Sequence, residues 1–310
     1  MITVQNLVKR FGARTAVNGV SFDVGAGEVL GFLGPNGAGK STTMRMLTCF
    51  IPPTEGTATV HGFDIVQQPV EVRRHIGYLP ENAPVYHDMS VAGYLRFIAE
   101  IRGLRSPRLN ARVDEIIETC YLRGVRNQSI GTLSKGYKQR VCFAQAILHD
   151  PPILILDEPT DGLDPNQKHE VRQLIKRMGE RKCIILSTHI LEEVDAVCTR
   201  AIIIAKGKIV ANGTPAELRA RSSLHGAVTM SVRGITEKDA MGVLGGLPNV
   251  YHVKALGESN GCLQLRVLPK AGAQIAYSIS AVARERKWAV EEFHVEQGRL
   301  DEVFRSITNE

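Results

Sequence analysis

Eight consecutive residues, Gly34-Pro35-Asn36-Gly37-Ala38-Gly39-Lys40-Ser41, fit the pattern Gly-x-x-x-x-Gly-Lys-Ser/Thr at each fixed position. Glycines at such places let the main chain curl closely and turn successive N–H groups inward. A following helix N-terminus adds partial positive charge, so the expected ligand is a triphosphate. Lys40 would lie along the β- and γ-phosphates, the Ser41 hydroxyl would ligate Mg²⁺, and Thr42 would sit close to the α-phosphate. The bland alternative is a glycine-rich turn that happens to contain Lys-Ser. The apolar run before the loop and the helical pattern after it argue against that.

Two carboxylates form a second constellation. Ile153-Leu154-Ile155-Leu156 reads as a buried strand that delivers Asp157 and Glu158 to its C-terminal end, where nucleotides bind in open parallel sheets. There Asp157 would act on the metal through a water ligand, and Glu158 would orient or deprotonate the attacking water. Acids at a strand end also cap helices, but two in succession after four aliphatics argue against a mere cap. His189 follows another apolar run, Cys183 to Leu186. A lone histidine is more often structural, yet a strand end in the same sheet brings this one within reach of a γ-phosphate. Ser134 and Gly136 precede a helix expected from Lys138 to Leu148. A hydroxyl and free backbone at a helix start can hold phosphate, although Ser there is more commonly only an N-cap. Phe11 lies 29 positions before Lys40; its ring either stacks on adenine or belongs to the core, and spacing does not divide the two.

To position these groups the chain needs strands that end side by side. A strand over Glu28 to Leu33 leads into the loop, and a helix over Thr42 to Cys49 leaves it, ended by Ile51-Pro52-Pro53. Ile2 to Val4 and Val17 to Val24 alternate as strands, Gly56 to Val66 is hairpin-like, and a strand ends in a polar loop at Ile76 to Asn82. Residues 86–149 are helical in pattern, an insertion inside an α/β domain assigned to residues 1–222. Thr214-Pro215-Ala216-Glu217 has capping-box spacing near its end. Over residues 226–310 the order restarts as βαββαβ, which suggests a small α+β ferredoxin-like domain closed by an amphipathic helix from Arg299 to Ile307. It shows no nucleophile, metal cluster or paired carboxylates with catalytic spacing, so a regulatory or dimer-contact role is expected of it rather than catalysis.

Composition narrows the classes. A chain of 310 residues supports about two domains, and its aliphatic runs fall far short of the ~20 residues that span a bilayer. The start, Met1 to Gln5, goes straight into a strand-like segment without the pattern of a secretory signal, so the cytoplasm is the expected location. Six cysteines are scattered through apolar segments without Cys-x-x-Cys or metal spacing and read as reduced core residues. The net charge of +6 resides before Gly226, densest from Arg96 to Arg126 with seven arginines against four acids. A solvated helical face is the plain reading of that stretch, and a surface for an acidic partner or lipid headgroups the sharper one. No basic-aromatic alternation of the kind that stacks bases is present, so no nucleic-acid partner is expected.

Taken in order, these pieces resemble the ATP-binding subunit of ABC transporters over Ile2 to about Arg221. In that resemblance Gly34 to Ser41 is the Walker A loop, Leu133 to Tyr137 the ABC signature, Asp157 and Glu158 the Walker B pair, and His189 the switch histidine. Phe11 stands at the adenine-stacking aromatic, and Asp164 lies in the D-loop at the contact between subunits. The sequence is similar to the ABC-2 exporter branch, near gliding-motility and drug-exporter ATPases, which share Leu-Pro-Glu and Leu-Ser-Lys-Gly-Tyr; the tail from Glu296 to Phe304 is similar to extensions in that branch. Two departures stand out: Glu81 replaces the usual Q-loop glutamine, and Lys135 and Tyr137 replace the usual Gly and Gln of the signature. Glu81 can still approach Mg²⁺ or accept a bond from water, but it adds negative charge beside the phosphates. The resemblance implies ATP and Mg²⁺ as cofactors and a head-to-tail pair, homodimeric or with a second ATPase subunit. Each nucleotide would lie between the Walker A loop of one chain and Ser134 and Gly136 of the other. It also implies an ABC-2 permease as membrane partner, at the cytoplasmic face. A soluble ABC-type ATPase or nucleotide switch working on DNA or ribosomes is the competing expectation; its relatives generally show paired cassettes, coiled coils or zinc-binding cysteines, which this sequence lacks.

Overall fold

Aliphatic runs without alternation decide the centre of the first unit, because strands covered on both faces have no polar side to show. The structure is a computed structural model that describes residues 1–82 and 84–308, and it divides into two units, Met1–Pro215 and Ala216–Glu310. Unit one opens with β1 (Ile2–Phe11) and β2 (Arg14–Val24), then β3 (Val29–Leu33), α1 (Lys40–Leu47), β4 (Glu55–Val60) and β5 (Phe63–Asp64). Next come α2 (Pro69–His75), β6 (Ile76–Leu79), α3 (Val91–Ile101), α4 (Arg108–Thr119) and α5 (Lys135–Ile147). The unit continues through β7 (Ile153–Asp157), α6 (Pro165–Gly179), β8 (Cys183–Thr188), α7 (Leu191–Val197), β9 (Arg200–Ala205) and β10 (Lys208–Gly213). The division falls at the start of α8 (Pro215–Arg219).

Two sheets result. One is antiparallel, in the order β2-β1-β4-β5; the other runs β10-β9-β3-β8-β7-β6, parallel throughout except for the β9–β10 hairpin. Between them lies a core that includes Leu7, Val20, Phe22, Phe32, Met44 and Ile185. A second core joins the other face of the parallel sheet to α3, α4, α5 and α6 through residues such as Leu95, Ile116, Val141, Leu156 and Leu174. The helical insertion is thus packed on the sheet rather than appended to it. At Gly77 the approach is closest: a Cβ there would come within 2.1 Å of the Ala146 carbonyl oxygen, so β6 meets α5 backbone to backbone.

Helix starts follow local chemistry. The Ser90 hydroxyl accepts from the Gly93 N–H at 3.1 Å to begin α3. The Ser134 hydroxyl accepts from the Tyr137 N–H and begins α5 three residues earlier than the apolar pattern suggests. Asp164 accepts from the Gln167 N–H at 2.9 Å ahead of Pro165, whose missing donor costs nothing at the first helical position.

Unit two contains β11 (Val228–Arg233), α9 (Glu237–Gly245), β12 (Val250–Ser259), β13 (Cys262–Pro269), α10 (Ala276–Glu285), β14 (Ala289–Val295) and α11 (Leu300–Thr308). Its four strands form an antiparallel sheet in the order β12-β13-β11-β14. Alternate residues of β11 (Val228, Met230, Val232) meet Ala240 and Leu244 of α9 and Ile279 of α10 in a core of its own.

Candidate functional site

Register brings the candidate residues together. In the parallel sheet β8 lies between β3 and β7, pairing Leu33 with Thr188 and Asp157 with Ser187, so three strands end at one level. From those ends leave the glycine-rich loop, the Asp157-Glu158 pair and His189. This is the carboxyl edge where open α/β sheets hold ligands.

The loop is shaped by what surrounds it. Gly34 fits because a Cβ there would lie 2.5 Å from the Ile204 carbonyl oxygen, and Gly39, with φ +111°, begins α1. Pro35 and Asn36 are exposed and Ala38 is buried, its N–H donating to the Pro35 carbonyl at 3.2 Å. The Lys40 ammonium, almost fully buried, donates to the carbonyls of Gly34 at 2.6 Å and Pro35 at 3.3 Å and lies 3.8 Å from Glu158. Burial lowers the Lys40 pKa, and the charges of Glu158, Asp157 and Glu81 act against that shift. A cleft of about 430 Å³ opens over the loop, lined by Phe11, Arg14, Ala16, Asn36, Gly37, Gly39, Lys40, Ser41, Thr42, Glu81 and Glu158. Phe11 is 51% exposed at its rim, with the Lys9 ammonium 5.2 Å from its ring centroid, and is therefore not a core residue.

Asp157 is 1% exposed; its Oδ1 accepts from Ser41 Oγ at 3.2 Å and from Ser187 Oγ. A hydroxyl and a carboxylate side by side beneath a phosphate loop suit a hard cation that takes few protein oxygens and completes its shell with phosphate and water. No group of three His, Cys, Asp or Glu side chains able to hold a metal occurs among the described residues.

Glu158 has φ +50°, the left-handed region, held there by its own backbone bonds. Its N–H donates to Ser187 Oγ at 3.1 Å and to the Ser187 carbonyl at 3.2 Å, while its carbonyl accepts from Asp161 N–H and Gln139 Nε2. This turn aims the carboxylate at the cleft, where Oε2 accepts from His189 Nδ1 at 2.9 Å. Burial raises the Glu158 pKa, with His189 and Lys40 pulling it back and Asp157 adding to the rise.

Not every sequence candidate reaches this cleft. Ser134, Gly136 and Asp164 do not line it, and neither do Gly34, Pro35, Ala38, Asp157 and His189, which adjoin it: Ser134 and Asp164 cap α5 and α6, and Gly136 is buried in the first turn of α5 beside the Gln167 side chain. Conversely, Arg14, Ser187 and Gln139 take part without having been singled out. Arg14 carried no pattern, while Ser187 and Gln139 act through neighbours that only the sheet register and the α5 packing reveal.

A mostly parallel sheet with a phosphate loop and paired carboxylates at its carboxyl edge, and an antiparallel sheet packed over one face, define a P-loop nucleotide-binding cassette. Residues 17–161 match the family described as ABC transporter. The linearmycin resistance ATP-binding protein LnrL of Bacillus subtilis is 30% identical over 309 residues, covering 99% of this chain and 98% of that protein. The probable multidrug ABC transporter ATP-binding protein YbhF of Escherichia coli is 37% identical over 224 residues, 72% of this chain, and the chain spans only 39% of YbhF. A solved structure titled as the ATP binding subunit of an ABC transporter superposes with TM-score 0.66 at 30% identity, over 71% of this chain and 92% of that one. The chain belongs to the ATP-binding proteins of the ABC transporter family.

Proposed function

We propose that this protein binds and hydrolyses ATP and drives export through a separate membrane permease. The observation that carries the catalytic half is the meeting of Lys40, Asp157, Glu158 and His189 at one sheet edge, with Glu158 and His189 joined at 2.9 Å. Phosphate oxygens of ATP take the place of the loop carbonyls on the Lys40 ammonium, and Phe11 offers its exposed ring to the base. Ser41, Asp157 and Glu81 would hold Mg²⁺, which when bound neutralises phosphate charge. Glu158 accepts the proton of the attacking water, its basicity raised by burial, and His189 fixes the direction of its carboxylate.

Because Ser134 and Gly136 lie outside the cleft of their own chain, our reading is that they close the cleft of a second one, with Asp164 at the contact. ATP then favours the closed pair and hydrolysis releases it. LnrL is named for linearmycin resistance and YbhF as a probable multidrug ABC transporter ATP-binding protein, which supports an exporter assignment, and we extend it to an ABC-2 type permease at the cytoplasmic face. No helix among the described residues is long and apolar enough to cross a membrane, so the permease is a different polypeptide or segment. We further read unit two as a ferredoxin-like accessory domain, on the strength of its βαββαβ order and antiparallel sheet.

Glu158→Gln tests the reading. Turnover should fall by about 10² or more, the usual range for losing a general base, while ATP still converts the protein to a dimer in size-exclusion chromatography. Normal turnover in that variant removes Glu158 from the catalytic role.

A further inference from the structure

Behind the site lies a carboxylate that touches neither the cleft nor its lining. Glu193, on α7, is 2% exposed. Its Oε1 accepts from Thr160 Oγ1 and has Arg172 Nη2 of α6 at 3.7 Å; its Oε2 accepts from Thr188 Oγ1 at 2.8 Å. The Thr188 hydroxyl in turn accepts from the Ile190 N–H at 3.0 Å, so it braces both sides of His189. Thr160 stands two residues after Glu158, and Thr188 immediately before His189.

A buried carboxylate is costly unless charge and hydrogen bonds compensate it. Here two hydroxyls and an arginine do so, and each hydroxyl belongs to a strand-end segment that carries one member of the Glu158–His189 pair: Thr160 lies in the loop after β7, and Thr188 is the last residue of β8. The two strand ends therefore meet twice: in front through the 2.9 Å bond between Glu158 and His189, and behind through Glu193.

We propose that Glu193 is a positioning residue for hydrolysis, clamping Thr160 and Thr188 so that Glu158 and His189 keep their separation and direction. This rests on the ATPase reading above. Glu193 does not contact the phosphate loop, so it governs the chemical step and leaves nucleotide affinity alone.

The test uses the full-length protein, steady-state ATP hydrolysis and the variants Glu193→Gln, Thr188→Val, Thr188→Ser and the double variant Glu193→Gln/Thr188→Val. A misplacement of the reacting groups by around an ångström costs up to about 10²-fold. Glu193→Gln and Thr188→Val should each lower kcat about tenfold or more, with KM for ATP held within about twofold. Thr188→Ser, which keeps the hydroxyl, should retain wild-type kcat. The double variant should be no slower than the slower single one, since both changes break the same clamp. Wild-type kcat in the Gln and Val variants, whatever happens to their melting temperature, overturns the proposal, as does a loss seen equally in Thr188→Ser. If Glu193→Gln does not fold, the Val and Ser variants at 188 decide alone. A wild type no faster than Glu158→Gln brings down the ATPase reading and this proposal with it; a working wild type with unchanged clamp variants brings down only the proposal.

Discussion

Glu158 shows how one residue combines opposed demands. Burial disfavours its charge, and the His189 and Lys40 groups restore part of what burial removes, leaving the pKa above its ordinary value of 4.5. In the unfolded chain the same carboxyl ionises at that ordinary value. Its contribution to stability is therefore fully present below about 4.5 and is lost as pH rises through the higher folded value. Glu158→Gln, which stays neutral, should melt higher than wild type at about pH 8, and the gap should narrow toward about pH 4; equal melting temperatures across that range would show that burial does not strain the carboxylate. At this scale the sequence was most informative where a pattern prescribes the chemistry, as for Lys40, Ser41 and Asp157. Phe11 was ambiguous until its exposure was known. Ser187 and Glu193 were illegible because their partners, Asp157 at one and Thr160 and Thr188 at the other, are set by packing rather than by spacing.

Among elements, the long and the uniformly apolar were readable. β3, β7 and β8 are wholly buried runs, and α6 announces itself with Asp164 and Pro165 at its start. Two short helices, α2 and α7, gave no periodic signal: seven residues are too few to display a stripe, and what holds them is tertiary contact. α7 matters because it carries Glu193. Asp164 belongs to this scale as an N-cap. Asp164→Ala should lower stability by about 1 kcal/mol in urea unfolding without nucleotide, a cost separable from any effect on pairing because no nucleotide is present. An unchanged midpoint would mean that the Gln167 N–H finds no need of that side chain.

The whole molecule joins an ATP-binding cassette to a second unit with its own sheet and core. The order of elements in unit two could be read from the sequence, as could that of unit one apart from α2 and α7, but the sheet order could not, since strands that are neighbours in the parallel sheet are far apart in the chain, β3 beside β8 and β9. If the cassette works with a permease, gentle detergent extraction of the tagged protein from its own cells should bring down a multi-span membrane protein in stoichiometric amount. Recovery of soluble partners or ribosomes alone, with no membrane fraction, would redirect the assignment to a soluble mechanical ATPase.

The crowding at Gly34 and Gly77 has an evolutionary corollary. At each, the nearest obstacle to a side chain is a main-chain carbonyl oxygen, of Ile204 and Ala146 respectively. A carbonyl is the same whatever residue bears it, so no substitution at the facing position makes room. In an alignment of relatives sharing this geometry, these two sites should vary with nothing else: a lineage either keeps the glycine or moves the backbone.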